Sequence, residues 1–191
     1  YQGYDDKTVH LDIYVPRASY VANAHTNYLS MINFHDKNIK VNYRETNSFD
    51  TIKDVYEGEA NIGIIRFPID EESYFLHLLE TKELNFEKLY QFNYQLLFSN
   101  EIPLSFKEII YLSDLETQIE ITHGDTALPS LPIVATNRND ETRHSKKEIS
   151  VYERGSQFEL LNHLPHTFMW VSPIPQEVLR RFNLVTKECQ E

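Results

Sequence analysis

Three serines stand where chemistry with a small anion is expected. Ser19, Ser48 and Ser156 each lie where a helical apolar period begins. A helix start presents unpaired amide N–H groups and the positive end of the dipole, and a hydroxyl adds one more donor. Arg66 follows an apolar strand pattern, and its planar fork pairs well with a carboxylate. Together they predict an organic acid or another small anion as the ligand. Each also has a plainer reading, since Ser caps helices everywhere and arginines often form exposed ion pairs. Convergence of the group favours the ligand more than any one member does.

Other reactive residue types point to no second chemistry. His163 and His166 share a helical spacing and His123 falls in a predicted turn, but no HExxH or Cys/His pattern accompanies the eight histidines, so no metal is expected. Asp70, Glu71 and Glu72 read as a solvated helix start. There is no Gly-rich phosphate loop and no GxSxG elbow, and Cys189 sits near the tail. No cofactor and no enzymatic activity are expected.

The elements that must position these residues run strand, helix, strand, helix, strand from Val9 to Pro68. The first strand alternates Val9, Leu11, Ile13 and Val15. The first helix carries Val21, Ala24, Tyr28, Met31 and Ile32, with Ser19 as its cap and the polar run His35 to Asn38 as its close. The second strand spans Ile39 to Glu45. Asn47 or Ser48 caps a short helix with Phe49, Ile52, Val55 and Tyr56 on one face, Asp50 in its first turn and Gly58 as its stop. Ile62 to Ile65 is read as a strand covered on both faces. This order predicts a parallel α/β unit. Its loops Arg17 to Ser19, Thr46 to Ser48 and Arg66 to Pro68 should then meet in one crevice at the carboxyl edge.

A helical pattern with Phe75, Leu78 and Leu79 follows from Asp70 to Lys82, and Leu84 to Ser99 reads as strand-rich. Asn100 to Ser105, containing Pro103, is a crossing segment. The second half repeats the first more loosely. Strands are expected at Ile119 to Thr122, Ile133 to Thr136, Ile149 to Arg154, Phe168 to Val171 and Leu184 to Lys187. A turn is expected at His123 to Asp125 and a polar stretch at Asn137 to Lys147. Gly155 and Ser156 open a helix with Phe158, Leu160, Leu161 and Leu164, and Gln176 to Phe182 form a last one. The predicted division is a first lobe over 1–99, a second over 100–186, and a return toward the first lobe beginning at 187–191. Two such lobes describe a cleft protein that clamps a small ligand.

With 18 Lys plus Arg against 29 Asp plus Glu, the net charge of −11 would repel a phosphate backbone, and no basic cluster offsets it. Direct contact with nucleic acid is not expected. The hydrophobic share of 41% suits a globular protein, and twelve Tyr and eleven Phe supply buried area. One cysteine excludes an intrachain disulfide and favours a reducing compartment. No apolar run reaches the roughly 20 residues needed to cross a bilayer, and no signal-peptide pattern precedes the first strand. The chain does not start with Met, so it is expected to be a fragment or a processed product.

At these residues the chain resembles the effector-binding domain of LysR-type transcriptional regulators, whose fold is that of type 2 periplasmic binding proteins. The resemblance covers nearly the whole chain. It rests on the order and spacing of VPRAS, IKVNYRETNSFDTIKDVYEGEANIGII, EKLYQFNYQLLFSNEIPLS and VYERGSQFELLNHLPHTFMWVSPIP. It implies an α/β fold of two Rossmann-like lobes joined by crossover strands. A small effector would then be touched by Ser19, Asn47, Ser48, Arg66, Phe67, Thr122, His123, Gly155 and Ser156. Asn61 departs from the family, which usually has Asp there. The winged helix-turn-helix and linker helix of such regulators would lie before Tyr1, and the segment that usually returns to complete the first lobe would lie beyond the end.

The function this implies is ligand sensing. An effector in the interlobe cleft alters the geometry of a homodimer or tetramer, and DNA is bound only through the separate amino-terminal domain. The compartment implied is the cytoplasm, with no membrane contact. Family members pair their sensory domains through the first helix, where Tyr20, Tyr28 and Met31 suit such a contact and suit a core equally well. The rivals are an extracytoplasmic solute-binding protein of the same fold, which a signal sequence upstream would mark, and an enzyme on the same architecture, which turnover would reveal.

Overall fold

A computed structural model describes residues 8–32, 38–123, 147–152 and 156–190. Two compact units divide the chain, Tyr1–Tyr90 and Gln91–Glu191. The first contains β1 (Val9–Val15), α1 (Ser19–Met31), β2 (Ile39–Glu45), α2 (Ser48–Tyr56), β3 (Ile62–Gly63) and α3 (Glu72–Thr81). Its sheet is parallel in the order β2-β1-β3, with Val9 opposite Ile39 and Val15 opposite Glu45. Apolar residues of β1 and the start of α1 form one core, Ile13, Val15, Ala18 and Val21, and Ile52, Phe75 and Leu79 form another under α2 and α3. Gly58 closes α2 region at φ 79, a left-handed value that glycine takes without strain.

Two expectations for this unit are corrected. Helix α1 does not bury Ala24, Tyr28 and Met31; Tyr28 is 53% and Met31 80% exposed, and Val21 is its one buried residue. The face turned inward is Ala18, Val21, Ala22, His25 and Leu29. The polar-looking His25 belongs to it because its ring stacks on Tyr43 of β2, with centroids 4.2 Å apart. Strand β3 is shorter than Ile62 to Ile65 and is not covered on both faces. It occupies an edge of the sheet, and Ile62 is 48% exposed. Its register continues through lone hydrogen bonds, Asn61 N–H to the Asp12 carbonyl and Ile64 N–H to the Tyr14 carbonyl. Asn61 also accepts from Asp12 N–H at 2.7 Å, so the amide performs there the accepting role that a carboxylate would.

The second unit contains β4 (Gln95–Ser99), β5 (Ile110–Tyr111), β6 (Ile119–His123), β7 (Lys147–Val151), α4 (Gln157–His163), β8 (Thr167–Val171), α5 (Gln176–Arg181), β9 (Leu184–Lys187) and β10 (Cys189–Gln190). Five strands make a mixed sheet in the order β7-β6-β8-β4-β9. Strands β7, β6 and β8 are parallel, while β4 runs antiparallel to both β8 and β9. The helices cover it through Leu97, Ile121, Phe158, Leu161, Met169 and Leu179, and its other core holds Leu96, Phe98, Leu115 and Phe168.

This pairing overturns the placement of Gln95 to Ser99 in the first lobe. Burial of Leu96, Leu97 and Phe98 to 0% exposure, between β8 and β9, ties that strand to the second unit, whose boundary falls at Tyr90 rather than Ser99. Of Leu84 to Ser99 only β4 is a strand. The last described residues, β10, pair with Ile110 and Tyr111 of β5 within the second unit. The expected strand at 133–136, the turn residues 124–125 and the polar stretch up to residue 146 lie outside the described residues.

Candidate functional site

Strand order β2-β1-β3 makes the chain leave β1 toward one side and return on the other, so the topological switch lies between β1 and β3. Ligands of open α/β sheets sit outside the carboxyl ends of the strands at such a switch. On that edge lie Ser19, Asn47, Ser48, Arg66 and Phe67. Thr46 N–H bonds the Val15 carbonyl at 2.9 Å, which pins the loop after β2 to the end of β1.

In the first unit the helix caps are Ala18 and Asn47, so Ser19 does not hold the expected cap position and, of Asn47 and Ser48, it is Asn47 that caps. Ala18, at φ −150 and ψ 125, holds the cap position of α1, and Ser19 lies one residue inside the helix. Asn47 caps α2 by accepting from Asp50 N–H at 2.9 Å, because its extended backbone places the side-chain oxygen over the first turn. Ser48 is thereby released for another task. Its hydroxyl donates to the Arg66 carbonyl at 2.7 Å and accepts from Arg66 N–H at 3.0 Å. At 7% exposure it serves as a bracket between α2 and the segment after β3. Phe67 stacks on Phe75 at 4.7 Å and packs on the α2–α3 core, half-buried.

The two helix starts on this edge differ in charge. The first turn of α2 carries Asp50, whose carboxylate also accepts from the Asn47 amide at 2.7 Å. No acidic residue occupies the first turn of α1, the longer helix.

In the second unit Thr122 and His123 end β6, and Ser156 precedes α4 as its cap residue without a side-chain capping bond. Parallel pairing sets Thr122 opposite Ser150 and His123 opposite Val151, so the same carboxyl edge is assembled here. Thr122 donates to Glu148 Oε1 at 2.6 Å, and Ser150 donates to the same oxygen at 3.2 Å. Glu148 and Ser150 therefore orient Thr122. Sequence reading missed both, although their alternation on β7 beside Thr122 of β6 was the available signal. Gly155 lies outside the described residues.

His163 and His166 do not share a helix face. His163 ends α4 with Nδ1 2.9 Å from the Glu159 carbonyl, whereas His166 lies beyond the helix at φ 63. Among the described residues no three His, Cys, Asp or Glu side chains gather as a metal site would require. Nor is any described helix long and apolar enough to cross a membrane.

Two α/β units, the first built on a parallel sheet and the second on a mixed one, agree with a periplasmic-binding-protein type 2 fold. Solved structures place the chain within that class: it has the fold of the effector-binding domains of LysR-family regulators. It is similar to the effector-binding domain of QuiR in complex with shikimate, at 14% identity and a TM-score of 0.61, over 97% of this chain and 82% of that one. The regulatory domain of OxyR2 from Vibrio vulnificus is similar at 14% identity and a TM-score of 0.60, over 98% and 83% of the two chains. The regulatory domain of MetR, a LysR family regulator from N. meningitidis, is similar at 12% identity and a TM-score of 0.55, over 95% and 78%. No protein-family model matches the sequence, and no curated protein matches it.

Proposed function

We propose that this chain is the effector-binding domain of a LysR-type transcriptional regulator and that its effector is a small organic anion. The observation that carries the reading is the likeness to an effector-binding domain along 97% of the chain. The α1 start, next to the topological switch and without a first-turn acid, supports an anionic group at Ser19. Arg66 and Phe67 supply a cation and an apolar wall. In the second unit Thr122, His123, Gly155 and Ser156 contact the same effector, with Glu148 and Ser150 as positioning residues. Asn47 and Ser48 act chiefly by holding the loop that carries Arg66. The protein works in the cytoplasm as a homodimer or tetramer, and DNA is reached through a separate domain. The effector acts as a signal by binding one arrangement of the assembly more tightly than another.

A thermal-shift screen of small organic acids, shikimate included, tests this reading. A ligand at about a hundredfold excess over its Kd stabilises by about 2.7 kcal/mol and raises Tm by several degrees. Failure of every acid to raise Tm would remove the anionic effector from the proposal.

A further inference from the structure

A cavity of about 320 Å³ lies wholly within the second unit, away from the carboxyl edge. Its lining residues include Gln118 and His166, which immediately precede β6 and β8, and Ile119 N–H donates to the His166 carbonyl at 2.7 Å. The cavity therefore opens at the amino ends of these strands. Thr122 and His123 lie at the other end of β6.

The cavity combines an apolar floor with a fixed pair of charges. Ile102 and Leu104, at 8% and 6% exposure, belong to the core beneath it. On its wall the Lys107 ammonium donates to Asp114 Oδ1 at 2.6 Å, and Asp114 Oδ2 accepts from Tyr111 N–H at 3.1 Å. Lys107 first and the Tyr111 amide second hold the Asp114 carboxyl below its ordinary range, so this is an ionised carboxylate at neutral pH. Ser113 and His166, also in the lining, make no side-chain hydrogen bond to another described residue.

These charges select the ligand. A simple anion must compete with Asp114 for Lys107, and a simple cation must compete with Lys107 for Asp114. A molecule with both charges on one carbon lies antiparallel to the pair and meets both partners without separating them. A volume near the lower end for ligand pockets limits it to a few heavy atoms beyond those charges.

We propose that this cavity is a second small-molecule site and that it takes a free α-amino acid with a short aliphatic side chain. The ligand carboxylate meets Lys107, with Ser113 and His166 as further donors. Its ammonium meets Asp114, and its side chain covers Ile102 and Leu104.

The test is an amide NMR titration of the ¹⁵N-labelled 191-residue chain with L-alanine and L-valine, and with acetate and methylammonium as single-charge controls. Both amino acids shift the amides of residues 102–118 and 166, and each control binds at least about tenfold more weakly, the value of one charge-assisted hydrogen bond. Asp114→Asn keeps an acceptor for Tyr111 and loses about tenfold in amino-acid binding. His166→Gly removes the ring at a φ of 63, which glycine accepts, and weakens binding even if Asp114→Asn does not fold. No shift with either amino acid, controls that bind as well, or a folded variant that binds like the wild type would each overturn the proposal.

Discussion

Ser48 decides how the candidate edge of the first unit is held. Its hydroxyl satisfies both backbone groups of Arg66, so Ser48→Ala strands a partly buried donor and acceptor. The expected cost is about 1–3 kcal/mol in urea unfolding. A serine that only touched a ligand would leave unfolding unchanged. Ser19→Asp is expected to act in the opposite sense. A carboxylate at the α1 start gains about 0.3–1 kcal/mol from the dipole, yet it repels an anionic effector. Raised Tm with lost acid binding is the expected pair, and retained acid binding would move the anion elsewhere. Asp114 carries a pH dependence. Its folded pKa is lowered, so the stability it contributes is complete above the unfolded value of about 3.9 and is lost as pH falls through the folded one. Asp114→Asn should show a smaller loss of stability between neutral pH and acid than the wild type, as followed by chemical denaturation at each pH.

Gly63 sets the spacing between α2 and β3. A Cβ there would stand 2.6 Å from Thr51 Cγ2 and 2.9 Å from Val55 Cγ2, both β-branched and stiff. Gly63→Ala should destabilise by about 1–3 kcal/mol through overpacking, seen as a lower urea midpoint with an unchanged slope. Regular elements of the first unit were legible because their periods are clean: β2 spans Ile39–Glu45 and α2 begins at Ser48 as expected. The α1 face was misread because hydropathy places His25 outside, while ring stacking on Tyr43 brings it in. The role of β4 was not legible, since a run such as QLLFS looks the same whichever sheet it joins, and only pairing with β8 and β9 assigns it. The candidate residues were legible as strand ends and helix starts. Their division of labour was only partly legible: Asn47 was one of two candidate caps, but nothing in the sequence shows that Ser48 then binds the Arg66 backbone.

At the scale of the molecule, a net charge of −11 opposes any anion at long range, so binding must come from local donors at a few strand ends. The two units each supply one such edge, and the proposed function requires both to meet one ligand. The most direct test is an amide NMR titration with an organic acid found by the thermal-shift screen. The account predicts shifts in both sets, Ser19 with Ser48 to Phe67 in the first unit and Thr122 with Ser156 in the second, saturating at one common ligand concentration. Shifts confined to one unit, or saturating at two different concentrations, would contradict it.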